Sequence, residues 1–292
     1  MLRRITEGCR VILVAATEAE AAPLLDACRE PRTHVVATKT FVVGEYPSAD
    51  LPSGTAPRRK SAAAPSIRAA LAISGCDKTN AAHVLTCLLQ IMEPAPLIVV
   101  QVGIAGALPG AGSVSRASVG DVVLATSEAY SDTGSSSPSG WLSAQDLGLP
   151  IARPGDVELG GSFFLDPGLV LWASEVIEAI DWADRDAGGG PGIRPAVLLG
   201  PCVTASRVTG TQVEAEEMAR RWAALAESME GAAAAHICAL YQVSFLEIRG
   251  ISNLVTDRDR DAWKVDRAVE VAGRAALAVV GALGHLRSSG GR

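Results

Sequence analysis

Short apolar runs along the chain alternate with longer stretches of helical pattern. The runs are continuous and end at Gly or polar turns, which is typical of strands buried on both faces of a sheet. The predicted strands are residues 11–16, 71–74, 97–103, 121–126, 196–200 and 244–252.

Helical patterns fill most of the intervals between these strands. The predicted helices are residues 19–29, 79–92, 169–180, 211–225, 229–241 and 266–286. Because strand and helix alternate, we expect an α/β fold, a three-layer α/β/α sandwich whose central sheet is mixed and largely parallel.

Three stretches rich in Gly, Pro and Ser interrupt this alternation, near residues 44–66, 131–161 and 184–195. Loops of this length are uncommon inside a compact domain unless they are functional or disordered, so we interpret them as irregular insertions. The chain has 292 residues with 48% hydrophobic content, which is enough for one large domain or two small ones.

The charge balance is acidic, with a net charge of -6. This argues against a nucleic-acid partner, which needs a surplus of Lys and Arg, and the one basic run, 58–60, is interpreted as a solvated loop. Six cysteines show no zinc or redox spacing, so we expect reduced thiols in a cytoplasmic protein without metal or cofactor. No apolar segment is long enough to span a bilayer, because Arg274 interrupts the candidate near the C-terminus.

Two carboxylates, Glu18 and Glu20, follow the first predicted strand. Ligands of open α/β sheets collect at this edge, so a carboxylate here can be held against a ligand. Acidic residues also favour the first turn of any helix because of its dipole, and this segment alone leaves that alternative open. Gly103 and Gly106 end a later strand, where glycine lets the backbone approach a ligand and present N–H groups to it.

The segment from 226 to 263 carries the most specific pattern. Glu230 opens a helix of small apolar residues that must pack closely, so we expect its carboxylate to be partly buried with a hydrogen-bonding partner. MEGAAAAH followed by RGISN resembles the nucleoside phosphorylase and nucleosidase superfamily, and the order of motifs over most of the chain agrees. The resemblance implies one domain over residues 1–292 with a sheet of the nucleoside phosphorylase type.

The resemblance also implies a role for each residue that matches a superfamily motif. Glu20 matches the carboxylate that activates water, Glu230 the ligand of the ribose 2′-hydroxyl and Asn253 the residue that faces the purine, so these three are the predicted catalytic residues. The predicted substrate-binding residues are Gly103, Ile104, Ala105, Gly106, Arg207, Val208, Ser228, Met229 and Ser252. The implied partners are a small nucleoside and other copies of the chain in a homo-oligomer.

Two positions bear on the reaction and the base. Gln101 stands where hexameric phosphorylases have an Arg for the phosphate dianion, so water is the expected nucleophile. Asn253 stands where methylthioadenosine/S-adenosylhomocysteine nucleosidases have Asp. An amide cannot transfer a proton, but it can donate a hydrogen bond to O6 or N7 of a 6-oxopurine, so hypoxanthine is the expected leaving group.

Within the superfamily, the resemblance is closest to the futalosine hydrolase branch, around residues 247–253 and 257–263. It implies hydrolysis of futalosine to hypoxanthine and dehypoxanthine futalosine in menaquinone biosynthesis. The alternatives are a nucleosidase acting on methylthioadenosine, S-adenosylhomocysteine or aminodeoxyfutalosine, a purine nucleoside phosphorylase, and a noncatalytic nucleoside-binding member.

Some polar residues allow two interpretations. Residues 257–263 form either a charged loop or a lid or subunit contact near the substrate. Arg249 is interpreted as a structural ion-pairing residue, with a role towards the ligand through Glu20 or Glu230 as the alternative. His83 and His236 lie on apolar-rich helix positions and are interpreted as structural.

Overall fold

The computed structural model describes residues 6–48, 66–93, 95–110, 116–138, 140–182 and 194–286. The strands in these ranges are β1 (Val11–Ala15), β2 (Arg29–Val36), β3 (Lys39–Pro47), β4 (Ser66–Ile73), β5 (Ile98–Ala107), β6 (Val122–Tyr130), β7 (Gly134–Ser137), β8 (Gly140–Ser143), β9 (Ser162–Phe164), β10 (Val197–Thr204), β11 (Ala226–Ser228) and β12 (Ser244–Leu254). The helices are α1 (Glu18–Ala27), α2 (Lys78–Ile91), α3 (Pro167–Glu178), α4 (Gln212–Trp222), α5 (Gly231–Tyr241) and α6 (Val265–Leu286).

One mixed sheet of ten strands runs through the structure, in the order β11-β10-β6-β12-β5-β1-β4-β3-β2 with β9 paired to β6. Its centre, β4-β1-β5-β12, is parallel, and β12 then pairs antiparallel with β6. Helix α2 packs against α5, whereas α1 and α3 pack against α6, so that helices cover both faces of the sheet. The predicted α/β/α sandwich with a mixed sheet is confirmed.

The core uses small aliphatic side chains, which lets the helices lie close to the sheet. All five residues of β1 are buried, as its continuous apolar run predicts. At Gly250 of β12, an added Cβ would overlap the backbone carbonyl of Ala268 in α6. Because Gly250 has no side chain, α6 packs directly against β12.

That edge is formed by the carboxyl ends of the central strands. Strands β1, β5 and β12 are parallel, so their ends meet on one side of the molecule. The short strand β11 joins them by pairing antiparallel with the last residues of β5. The register of β12 against β5 shifts between Ile251 and Asn253, so the regular strand pairing is interrupted within the motif ISN.

The chain between residues 29 and 47 differs from the prediction, because it forms two strands that no apolar run indicated. Strand β2 lies at the edge of the sheet and is largely exposed and polar, from Arg29 to His34. Charged side chains on an edge strand discourage pairing with other chains, and they also remove the apolar signal on which strand prediction depends.

The predicted irregular stretches are also partly ordered. Strand β3 continues to Pro47 and β4 begins at Ser66, while the intervening 49–65, with the basic run 58–60, lie outside the described residues. The stretch 131–161 contains the hairpin β7-β8 and a bridge between Ala152 and Leu159. Most of 184–195 lies outside the described residues. Within the described part of the chain, none of the helices is both long and apolar enough to span a bilayer.

Candidate active site

A cavity of about 350 Å³ opens at the carboxyl edge of the sheet. Most of the predicted site residues line it: Glu20, Ile104, Ala105, Gly106, Val208, Ser228, Met229, Glu230, Ser252 and Asn253. These residues come from α1, β5, β11, β12, the chain just before α5 and the loop after β10, so the tertiary structure collects them from most of the chain.

Two of the predicted binding residues do not line this cavity. Gly103 lies behind the wall, where an added Cβ would come within 2.5 Å of Glu20 Oε1 and 2.8 Å of Arg249 Nη1. Because Gly103 has no side chain, the space beside it holds the side chains of Glu20 and Arg249, and a ligand does not enter it. The side chain of Arg207 is 83% exposed and pairs with Glu214 at 2.9 Å, because that carboxylate lies beside it at the start of α4.

The carboxylate of Glu20 is held on three sides. Its Oε2 accepts hydrogen bonds from the Thr17 backbone N–H at 2.9 Å and the Thr17 hydroxyl at 2.8 Å, while Oε1 accepts one from the Ile104 N–H at 2.9 Å. Thr17 and Glu20 form a capping box at the start of α1. Glu20 therefore both caps the helix and lines the cavity, so the two interpretations of this segment are compatible.

Glu230 faces the same cavity from the N-cap position of α5. Its Oε1 accepts a hydrogen bond from the Asp77 N–H at 3.0 Å, and its Oε2 lies 3.5 Å from Arg249 Nη1. Burial raises the pKa of Glu230, and the Arg249 guanidinium opposes that shift. The expected buried carboxylate with a partner is thus present.

Arg249 joins this site to the interior of the protein. It is 1% exposed, and its Nε donates to Glu247 Oε1 at 2.7 Å while Nη1 donates to the Ile104 carbonyl at 3.2 Å. Burial lowers the pKa of Arg249, but the nearby carboxylates of Glu247, Glu230 and Glu20 together raise it above its ordinary value. Arg249 is therefore a permanent cation that lies between the core and the carboxylates of Glu20 and Glu230. This agrees with its predicted ion-pairing role.

A second pair of carboxylates, Glu128 and Glu247, is buried beneath the start of α5. Burial and the neighbouring Glu247 raise the pKa of Glu128 well above its ordinary value, and Glu128 Oε2 accepts a hydrogen bond from the Thr204 hydroxyl at 2.9 Å. Two adjacent carboxylates without solvent favour a shared proton. An added Cβ at Gly231 would overlap both side chains, so the small residue of the MEG motif is needed to let α5 approach them.

The wall of the cavity also carries the amide side chain of Asn253. Asn253 Oδ1 accepts a hydrogen bond from the Ser252 hydroxyl at 2.7 Å, and its Nδ2 donates to the Leu254 carbonyl at 3.3 Å. With the oxygen engaged, the second hydrogen of Nδ2 remains to face a ligand. Val208 and Val255 supply apolar surface beside this amide.

Several cavity residues were not predicted. Glu227 lies on the wall in the three-residue strand β11, which is too short to produce a periodic pattern. Arg258 and Trp263, from the segment 257–263, also lie on the wall, with the guanidinium 5.3 Å from the indole centroid. This segment therefore borders the site, as one of its two interpretations requires.

Gln101 is completely buried in β5, between Val14 and Glu247 in register, and does not line the cavity. Among the described wall residues, Arg258 is the one with a cationic side chain, against the carboxylates of Glu20, Glu227 and Glu230. Such a wall is electrostatically unfavourable for a phosphate dianion.

Comparison with known proteins defines the class to which this architecture belongs. The chain belongs to the phosphorylase superfamily, whose family model matches residues 10–283. Its curated relatives include futalosine hydrolases. That of Thermus thermophilus is 32% identical over 204 residues, 69% of this chain and 76% of that protein, and that of Acidothermus cellulolyticus is 31% identical over 160 residues, 54% and 57% respectively. The match thus spans less than two thirds of the Acidothermus protein.

The fold is shared with solved nucleosidases. The methylthioadenosine/S-adenosylhomocysteine nucleosidase of Neisseria meningitidis, solved with methylthio-immucillin-A, superposes with a TM-score of 0.68 over 93% of this chain and 98% of that one, at 22% identity. At this identity the likeness establishes the fold alone, and the choice of substrate must be argued from the site.

Proposed function

We propose that this protein is an N-ribosyl hydrolase that cleaves futalosine to hypoxanthine and dehypoxanthine futalosine in menaquinone biosynthesis. The observation that carries the proposal is that Glu20, Glu230 and the Asn253 amide line one cavity, with Arg249 paired to Glu230. The futalosine hydrolase relatives supply the substrate.

In the proposed reaction, Glu20 orients a water molecule below the anomeric carbon. As the C1′–N9 bond breaks, the base takes the electron pair, the water oxygen bonds to C1′, and Glu20 accepts the water proton. The three hydrogen bonds from Thr17 and Ile104 hold the carboxylate in one orientation, which reduces the reorganisation needed at the moment of attack.

Glu230 binds the ribose hydroxyl in this scheme, with Met229 packed on the sugar. The negative charge of the two cavity carboxylates favours the cationic sugar of the transition state. The Asn253 amide donates a hydrogen bond to O6 or N7 of hypoxanthine, which stabilises the base as it gains negative charge.

A second candidate function is a methylthioadenosine- or aminodeoxyfutalosine-type nucleosidase. A 26% identical methylthioadenosine/S-adenosylhomocysteine nucleosidase of Mycobacterium bovis favours it. Asn253 argues against it, because an amide cannot supply the proton that a carboxylic acid gives to an adenine leaving group. Phosphorolysis is less favoured, because carboxylates outnumber cationic side chains on the described wall and would repel phosphate.

We also propose a cytoplasmic homo-oligomer. All six cysteines are free, as expected of a reducing compartment. Phe164 is 87% exposed beside a groove formed with Phe163, Val243 and Phe245, a surface suited to a second copy of the chain. Light scattering of the wild type and of Phe164→Ser tests the self-association: a smaller assembly in the variant is expected, and a monomeric wild type would contradict the proposal.

The deciding experiment is product analysis by chromatography. The purified protein is incubated with futalosine, inosine and methylthioadenosine, each with and without phosphate. Hypoxanthine released from futalosine without phosphate is the expected result. Adenine released from methylthioadenosine alone would favour the second candidate, and a strict phosphate requirement would mean phosphorolysis.

A further inference from the structure

One carboxylate of the cavity has no part in the proposed reaction. Glu227 lies in β11 and is 6% exposed. Its Oε1 accepts a hydrogen bond from the Thr209 N–H at 2.8 Å, and its Oε2 accepts one from the Thr209 hydroxyl at 2.5 Å. Thr209 thus occupies one acceptor site on each oxygen, and because Glu227 lines the cavity, the remaining acceptor sites are available to a ligand.

The sheet register places Glu227 opposite Asn253. Glu227 pairs with Gly106 of β5 from one side, and Asn253 pairs with the same Gly106 from the other. Residues paired in register point to the same face of a sheet. Two strand spacings separate the backbones of Glu227 and Asn253 by roughly 10 Å. The side chains of Asn253 and Val255 cover Gly106 between them, and all four residues line the cavity, so a planar base lying over this surface can contact both Glu227 and Asn253.

The two side chains differ in hydrogen-bonding character. A carboxylate accepts only, and its two oxygens have about four acceptor sites, of which Thr209 occupies two. Asn253 presents a donor, because Leu254 occupies only one of the two hydrogens of Nδ2. The base that fits therefore offers a donor to Glu227 and an acceptor to Asn253.

We infer that Glu227 selects a 6-oxopurine by accepting a hydrogen bond from its N1–H, while Asn253 donates to the O6 or N7 side. A 6-aminopurine has an unprotonated N1, whose lone pair would face the carboxylate. This inference rests on the proposed function only in taking a purine nucleoside as the substrate. It names the residue that distinguishes hypoxanthine from adenine.

The test measures binding of free bases by calorimetry. Hypoxanthine, 1-methylhypoxanthine and adenine are titrated into the wild type, Glu227→Gln and Glu227→Ala. The wild type should bind hypoxanthine at least about tenfold more tightly than the other two, because loss of a hydrogen bond to a charged group leaves the carboxylate unpaired. Glu214→Gln, which changes a carboxylate that does not line the cavity, is the matched control and should bind as the wild type does.

The two variants separate selection from a merely structural role. Glu227→Ala should bind hypoxanthine and its 1-methyl derivative equally, since it lacks the acceptor and leaves room for the methyl group. Glu227→Gln should improve adenine relative to hypoxanthine by about tenfold, because its amide can donate to N1. Unchanged preference in both variants, or an equal loss for all three bases, would overturn the inference.

The outcome is distinguishable from failure of the proposed function. Should the wild type prefer hypoxanthine through Glu227 yet leave futalosine intact, the substrate proposal fails and the assignment of Glu227 stands. Should it cleave futalosine while Glu227→Ala still discriminates against 1-methylhypoxanthine, the assignment of Glu227 fails alone.

Discussion

The two ends of the cavity are held in different ways. At the proposed sugar end, Glu20 is held by the nearby Thr17 and by Ile104, and Glu230 is held by Asp77 and Arg249, so that three of the four partners are distant in the sequence. At the base end, Asn253 is held by the adjacent Ser252, and Glu227 by a single threonine. The proposed catalytic end is thus tied to the core through Arg249, whereas the proposed base end is held by fewer contacts.

This difference has a consequence for mutation. A change at the sugar end should alter both turnover and folding, because the same buried charges serve both. A change at the base end should alter specificity with little effect on stability.

Glu20→Gln should lower kcat by about 10²- to 10⁴-fold, the usual contribution of a general base. Glutamine can still complete the capping box with Thr17, but its NH2 group would face the Ile104 N–H, so the protein should stay folded with a modestly lower thermal unfolding midpoint. Steady-state hydrolysis of futalosine measures the effect, with the exposed neighbour Glu18→Gln as control. Wild-type turnover in Glu20→Gln would refute the assignment of the base.

Arg249→Met should destabilise the fold by about 3–5 kcal/mol, because it leaves the carboxylates of Glu230 and Glu247 buried without a cation. Urea unfolding gives the free energy. The control Arg153→Met removes an exposed ion pair with Glu158 and should cost less than about 1 kcal/mol. Similar losses in the two variants would mean that the sugar end is not tied to the core as described.

Gly231→Ala should cost about 1–3 kcal/mol, since its methyl group would overlap Glu128 and Glu247 and force α5 away from the sheet. The matched control is Gly210→Ala, where an added Cβ meets no atom within 4 Å. Chemical denaturation of both variants compares them directly. If Gly231→Ala unfolds at the same denaturant concentration as the control, the close packing over the carboxylate pair is incorrect.

Glu128→Gln should flatten the dependence of stability on pH. In the wild type, Glu128 keeps its proton when folded, while the unfolded chain releases it above its ordinary pKa of 4.5, so stability falls as the pH rises from there towards the folded pKa. Glutamine does not titrate, so in the variant the slope of the unfolding free energy against pH should change by at most about 1.4 kcal/mol per pH unit. Unfolding at pH 5 to 8 measures it, with Glu216→Gln on the surface as control. An unaltered slope would exclude the shared proton.

Much of the fold could be predicted because it depends on local pattern. The continuous apolar runs located β1, β5 and β12, and the small residues after Glu230 located α5. The edge strand β2 could not be predicted in this way, because its residues face solvent and carry charge. Nor could β11, since three residues contain no period.

The layered α/β architecture, the places of Glu20 and Asn253 at strand ends and that of Glu230 at a helix start follow from the sequence, because periodicity and element ends are local properties. Which other side chains join these three depends on contacts between distant parts of the chain. Arg207 points away from the cavity and pairs with Glu214. Arg249 lies at the site because β12 pairs with β5, and Glu227 lies there because β11 pairs with β5. The physical reason is that a buried charge takes its position from partners distant in the chain, and strand register, which no local pattern contains, brings those partners together.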